Sequence, residues 1–181
     1  QAVRRTNFPS VGADCEHRDC GRLAEAFGCE VIVNGTGPEH SLRKESVSAG
    51  CPTIVLEAGE VWKVEPAVLG LTSRGIVNVL HELEMTDSDA YEAPPHQVVV
   101  KETRWIRSET GGFLHFHIAP GEAVVEGQAV ASSTSLLGMQ KEGIRSPHDG
   151  ICRLYTSDAA DNLPCVVLRE RRTMTHNICN A

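Results

Sequence analysis

Two rhythms of apolar and polar positions divide the chain. Up to about residue 85, helical and strand spacings alternate. Leu23, Ala24 and Phe27 recur at helical intervals and stop at Gly28, a suitable left-handed terminator, with Asp19 placed to cap the start. Cys29-Glu30-Val31-Ile32-Val33 then reads as a short strand and Asn34-Gly35-Thr36-Gly37-Pro38 as a loop. Ser41 is a natural cap for a second helix carrying Leu42, Arg43 and Val47 and ending at Gly50. After Pro66, the apolar positions Val68, Leu69, Ile76, Val77, Leu80 and Leu83 predict a longer helix that covers a sheet. The first 14 residues read as irregular, with a turn at Asn7-Phe8-Pro9-Ser10.

Between the second and third helices lies Cys51-Pro52-Thr53-Ile54-Val55-Leu56-Glu57-Ala58-Gly59. Its run of apolar and β-branched residues fits a strand buried on both faces, as in a parallel sheet flanked by helices. Glu57 is expected at the carboxyl end of that strand, where ligand crevices of open α/β sheets lie. It is therefore a candidate for chemistry. Position alone equally allows an acid that leaves the sheet into solvent or caps the next loop.

Residues 86–95 are polar and acidic, end in Pro94-Pro95 and read as a linker. Beyond them come short runs separated by glycine-rich turns: Val98-Val99-Val100, Trp105-Ile106, Phe113 to Ile118, Ala123-Val124-Val125, Ala129-Val130-Ala131 and Ile144. These predict a small all-β unit in which turn signals recur, at Pro120-Gly121-Glu122, Glu126-Gly127-Gln128 and Pro147-His148-Asp149-Gly150.

The chain of 181 residues, 41% hydrophobic, suffices for one core and a satellite. Its net charge of -7 is dispersed, and no basic stripe interleaved with aromatics offers a nucleic-acid surface. No apolar run approaches the roughly 20 residues that span a bilayer. A soluble, cytoplasmic protein with no nucleic-acid or membrane partner is expected. Seven cysteines at irregular spacing do not resemble a disulfide framework, so reduced thiols are expected. Cys15, His17 and Cys20 are too crowded, and His115 with His117 too few, for a ready zinc site. The chain opens on Gln1 rather than Met, and an upstream segment is expected.

An ordered set of segments resembles the succinylglutamate desuccinylase/aspartoacylase family, zinc-dependent deacylases related to the zinc carboxypeptidases. The segments are Arg4-Arg5-Thr6-Asn7-Phe8-Pro9, Leu23-Ala24-Glu25-Ala26-Phe27-Gly28, Ser41-Leu42-Arg43, Gly50 to Gly59, and Gly75-Ile76-Val77-Asn78-Val79-Leu80. The resemblance implies a partial zinc-carboxypeptidase-like α/β sheet with flanking helices over 1–93. It also implies a small all-β barrel-sandwich, biotinyl/lipoyl-like module over 97–152, whose glycine-rich turns resemble Gly111-Gly112-Phe113, Gly121-Glu122-Ala123-Val124 and Pro147-His148-Asp149-Gly150. By the same resemblance, Glu57 is the general base to a zinc-bound water, and Arg43 grips a substrate carboxylate, against a surface salt bridge as its plain alternative. The substrate class is an N-acyl amino acid or a similar small amide. The family's zinc ligands, a paired histidine and glutamate and a later histidine, precede the matching region. This chain is therefore expected to be a carboxyl-terminal fragment that neither holds zinc nor turns over substrate.

From about residue 153 the sequence resembles a translated sequencing adapter, and a non-native or disordered tail over 153–181 is expected. A non-enzymatic alternative makes the β module a biotin or lipoate carrier or an interaction module. Carriers present a lysine eight residues before the proline that matches Pro147; Met139 stands there, and Lys141 is out of register. As a third reading, the module narrows access to the site or mediates a homo-oligomer.

Overall fold

A computed structural model of the chain describes residues 5–109, 112–139, 141–156 and 165–175. Arg4, Gly111, Ser157 to Asp161 and Cys179, which entered the sequence reading, lie outside the described residues. The fold is mixed, with three helices and ten strands among the described residues. It divides into two compact units that interleave along the chain. One contains Pro9–Glu57 and Val64–Lys101; the other contains the start of the first strand to Phe8, Ala58–Lys63 and the described residues of Glu102–Glu170. The sequence reading expected them in succession, as 1–93 and 97–152.

In the α/β unit the strand order is β3-β1-β2-β4, with β1 Arg5–Ala13, β2 Val31–Asn34, β3 Val55–Glu60 and β4 His96–Ile106. β1, β2 and β4 are parallel, in register Ser10↔Val31 and Val31↔Val98. Residues 5–13 are thus a strand rather than the expected irregular segment. Pro9, which has no N–H to give a ladder, is tolerated because β1 changes partner around it: Arg5 to Asn7 pair with a later strand and Ser10 to Ala13 with β2. Val98-Val99-Val100, expected in the β module, instead form the parallel neighbour of β2 and are buried. A continuous β-branched run suits a strand covered on both faces.

β3 departs further from expectation. It begins at Val55, and only β1 stands beside it among the described strands. Burial on both faces does not occur: Val55 and Glu57 are exposed, whereas Ile54 and Leu56 pack against the core. One face packs against the core and the other is exposed, so the side chains alternate accordingly.

Helix α1, Arg18–Phe27, is capped by His17, whose Nδ1 accepts from Cys20 N at 3.5 Å, and not by Asp19. It ends at Gly28 with φ +82°, as its sequence predicts. α2, Leu42–Ser48, is capped by Ser41 Oγ, which accepts from Lys44 N at 3.3 Å. α3, Pro66–Glu82, starts on proline, whose missing N–H is not needed in a first turn. Its buried residues are Gly75 and Asn78, while Leu69, Ile76 and Leu83 remain 57%, 51% and 41% exposed, so much of the stripe expected to cover a sheet faces outward. The core gathers Val11, Ala13, Ala24, Phe27, Cys29, Ile32 and Val99. Gln97, fully buried, joins helix to sheet by donating from Nε2 to Glu25 O at 3.2 Å and Cys29 O at 2.9 Å.

The β unit holds a three-stranded antiparallel sheet, β5-β7-β8 (Phe113–Phe116, Ala129–Thr134, Lys141–Arg145). β9, Gly150–Thr156, pairs with β6, Ala123–Val124, and with β10, Cys165–Thr175. Ile118, Val124, Val130, Ala131, Ile144 and Cys152 form its core. The recurring turns have one geometry: Glu122 Oε2 accepts from Ala119 N at 2.9 Å, and Gln128 Oε1 from Val125 N at 3.0 Å. Each turn also exchanges backbone bonds with a distant residue, Gly121 and Glu122 with Cys152, Gly127 and Gln128 with Ser146. β10 aligns Val166, Val167 and Leu168 with Leu154, Cys152 and Ile151. Consecutive β-favouring residues supply that strand.

α1 meets α3 at Phe27 and Gly75, where a methyl group on Gly75 would lie 2.5 Å from the Phe27 ring. Gly75→Ala is expected to destabilise the chain by about 1–3 kcal/mol, the cost of overpacking. Denaturant unfolding checks it: a lowered midpoint, partly restored by Phe27→Leu in the same chain, is the expected result.

Candidate functional site

At the carboxyl ends of the parallel strands β1 and β2, two loops are tied together. Cys15 N donates to Asn34 Oδ1 at 2.9 Å, and Gly35 N to Ala13 O at 2.9 Å. This is the end of an open α/β sheet at which ligand crevices form. Arg43, in the first turn of α2, lays its guanidinium here. A methyl group on Gly12 would overlap its Nη1 and stand 3.4 Å from Cζ; one on Gly37 would lie 2.9 Å from Nε and 3.1 Å from Nη2.

The same vantage point locates Glu57. A methyl group on Gly12 would be 3.7 Å from Val55 O, so Arg43 lies over β1 where β3 passes beside it. Side chains alternate across a sheet, and Val11, Ala13 and Leu56 share the core. Gly12, Val55 and Glu57 therefore belong to the opposite face, the one that carries Arg43. Glu57 is exposed and is the third of six residues in β3, not its terminal residue as expected. The strand runs past it because β1, nine residues long, offers a partner.

Arg43 is partly buried and has no hydrogen-bond or ion-pair partner among the described residues. Some basic residues are paired, Arg22 with Glu82 at 3.1 Å and Arg104 with Glu102 at 2.7 Å, for example. The guanidinium thus presents unoccupied donors on the face that bears a carboxylate. Gly12 and Gly37 were not singled out from sequence; a glycine inside a strand is the signal that marks a close approach.

The other candidates do not assemble a site. No three His, Cys, Asp or Glu side chains converge to hold a metal among the described residues. His115 and His117 are exposed, and Met139 is 85% exposed in the turn between β7 and β8. A cavity of about 380 Å³ lined by Arg22, Asn78, His81, Glu82 and Tyr91 uses its polar groups internally, since Asn78 Oδ1 accepts from Tyr91 N at 2.6 Å and Arg22 pairs with Glu82. No helix of the described residues is long and apolar enough to cross a membrane.

No family model matches the sequence, and no curated protein does. Solved structures match closely in shape. The apo form of the ectoine utilization protein EutE (DoeB) from Ruegeria pomeroyi superposes with a TM-score of 0.79 at 15% identity, over 94% of this chain and 57% of its own. A succinylglutamate desuccinylase from Silicibacter sp. TM1040 gives 0.75 at 18%, over 92% and 55%. An aspartoacylase family protein from Mesorhizobium loti gives 0.71 at 16%, over 93% and 54%. The fold is that of the succinylglutamate desuccinylase/aspartoacylase proteins. The chain spans a little over half the length of these structures. At such identity the likeness is one of fold.

Two thiols, Cys15 just past the carboxyl end of β1 and Cys29 just before the amino end of β2, are held neutral. Burial, with Glu25 and Asp14 nearby, pushes Cys15 up to about 11, and burial with Glu30 pushes Cys29 up to about 12, both from 9.0. Because the folded pKa values exceed the unfolded one, the stability these thiols contribute is present below pH 9 and is lost as pH rises through 11 to 12. The thermal midpoint is expected to fall across that window, and the fall to shrink in Cys29→Ala. Alkylation at pH 8 is expected to label exposed Cys51 well ahead of Cys15, whose thiol is held protonated by burial and nearby carboxylates, as peptide mapping would show.

Proposed function

We propose that this chain is part of a deacylase that hydrolyses the amide bond of an N-acyl amino acid or a similar small amide. On this reading Arg43 binds a substrate carboxylate and Glu57 acts as general base. The observation that carries it is the partly buried guanidinium of Arg43, without a partner among the described residues, on the sheet face that also bears Glu57, at the carboxyl ends of the parallel strands. A guanidinium receives a carboxylate in two parallel N–H···O bonds, which orients as well as binds it. On this reading the carboxylate on the same sheet face takes a proton from a water that attacks the substrate carbonyl. The names of the structures sharing this fold, a desuccinylase and an aspartoacylase family protein among them, agree in reaction class.

The residues present do not fit the zinc that the family resemblance implies, because no three ligating side chains converge among those described. Zinc ligation then belongs to polypeptide beyond the matched portion, and the 181-residue chain by itself is inactive. The β unit is proposed as the biotinyl/lipoyl-like module of such a protein, without a carrier lysine at the Met139 turn.

Elemental analysis of the purified chain, with a hydrolysis assay on N-succinyl and N-acetyl amino acids, tests the fragment reading. Substoichiometric zinc and no turnover above the uncatalysed rate are expected. One zinc per chain together with turnover would contradict it.

A further inference from the structure

We infer that Gly12 is a positioning residue for Arg43, fixing the guanidinium by leaving it a floor of bare backbone; this rests on the reading of Arg43 as the carboxylate anchor. The close approach on β1 leaves no room for any larger side chain, since a Cβ at Gly12 meets Nη1 and, at 3.4 Å, Cζ of Arg43. Gly37 borders the same guanidinium near Nε and Nη2, with Ser41 Oγ also 3.0 Å from where its Cβ would be. The planar group is bounded by β1 below and by the β2-to-α2 loop beside it. Confinement of this kind lowers the entropy that binding would otherwise cost.

Gly12 differs from Gly37 in a way that makes it the better probe. Gly37 has φ +91°, where any side chain is strained, whereas Gly12 sits in strand β1 without a left-handed φ. Apart from Arg43, the nearest atom to an added methyl is Val55 O at 3.7 Å, an ordinary contact. Gly12→Ala should displace the flexible tip of Arg43 and leave the fold intact. Its effect is therefore on binding rather than on stability.

The experiment is nitrogen-15 NMR of the full 181-residue chain, following the Arg43 Nε–Hε signal, assigned by its loss in Arg43→Lys. Without ligand, the wild-type signal is expected to be more rigid than that of exposed Arg18, and Gly12→Ala to bring it to the Arg18 level with an unchanged thermal midpoint. Gly143→Ala, with nothing within 4 Å of the added methyl, should change neither. Equal rigidity of Arg43 in wild type and Gly12→Ala overturns the inference.

Succinate titration supplies the second readout. Saturable movement of the Arg43 signal is expected, about tenfold weaker in Gly12→Ala. Calorimetry is expected to show the same loss in Arg43→Lys, with no further loss when the two substitutions are combined. Binding by Gly12→Ala as tight as wild type overturns the positioning role. If wild type shows no saturable movement, Arg43 as carboxylate anchor fails, while the ligand-free comparison still decides whether Gly12 holds it. Should Gly12→Ala not fold, adding Arg43→Lys to it must restore the fold, because that second substitution removes the colliding Nη1; failure to do so also overturns the inference.

Discussion

The ring of Phe27 lying on the bare backbone of Gly75 is the contact on which the α/β unit depends. Phe27 ends α1, and with Leu23 and Ala24 it forms the buried stripe of that helix. Without a close seat on α3, the ring would hold the two helices apart, and α3 would lose its purchase, because Gly75 and Asn78 are its only buried residues among those described. Gln97, on β4, then ties the carboxyl end of α1 to the sheet through two carbonyls, so a fully buried amide is satisfied where the helix stops. With α1 fixed, the loops at the carboxyl ends of β1 and β2 are fixed as well, and the candidate site is built from those loops.

Much of this was legible because each element announces itself locally. The stop at Gly28, the cap at Ser41 and the start at Pro66 are short-range chemistry, and the folded chain uses all three. What could not be read were choices made by distant partners. Pro9 reads as a turn until β1 is seen to change neighbours around it. Val98 to Val100 read as part of a β module, because a run of valines does not state whether its neighbour is parallel β2 or an antiparallel hairpin. β3 reads as buried on both faces, since periodicity cannot count the strands beside it.

The site divides in the same way. Arg43 and Glu57 were singled out by their order in a family-like sequence, and the fold sets both on one face of the sheet. The position of Glu57 within its strand was missed, because strand ends are decided by the length of the partner. Gly12 and Gly37 were missed altogether. Their role is to be absent, and a missing side chain is visible only once something is seen to occupy its place.

That arrangement bears on why a binding arginine would be held by glycines rather than by an acid. A carboxylate partner would also fix Arg43, but it would occupy the donors that a substrate carboxylate needs, and the ligand would have to displace it at the cost of leaving a charge unpaired. Backbone contact restrains the guanidinium by shape alone and leaves its planar edge open. The cost is a residual desolvation of the cation, which is modest because a guanidinium is weakly hydrated and Arg43 is only partly buried. A lysine could not exploit the same floor, since its compact ammonium has no plane to lay on Gly12 and no fork to present. Steric confinement of an arginine with no partner among the described residues would therefore let it stay in place and, on the reading proposed above, accept an anion at once.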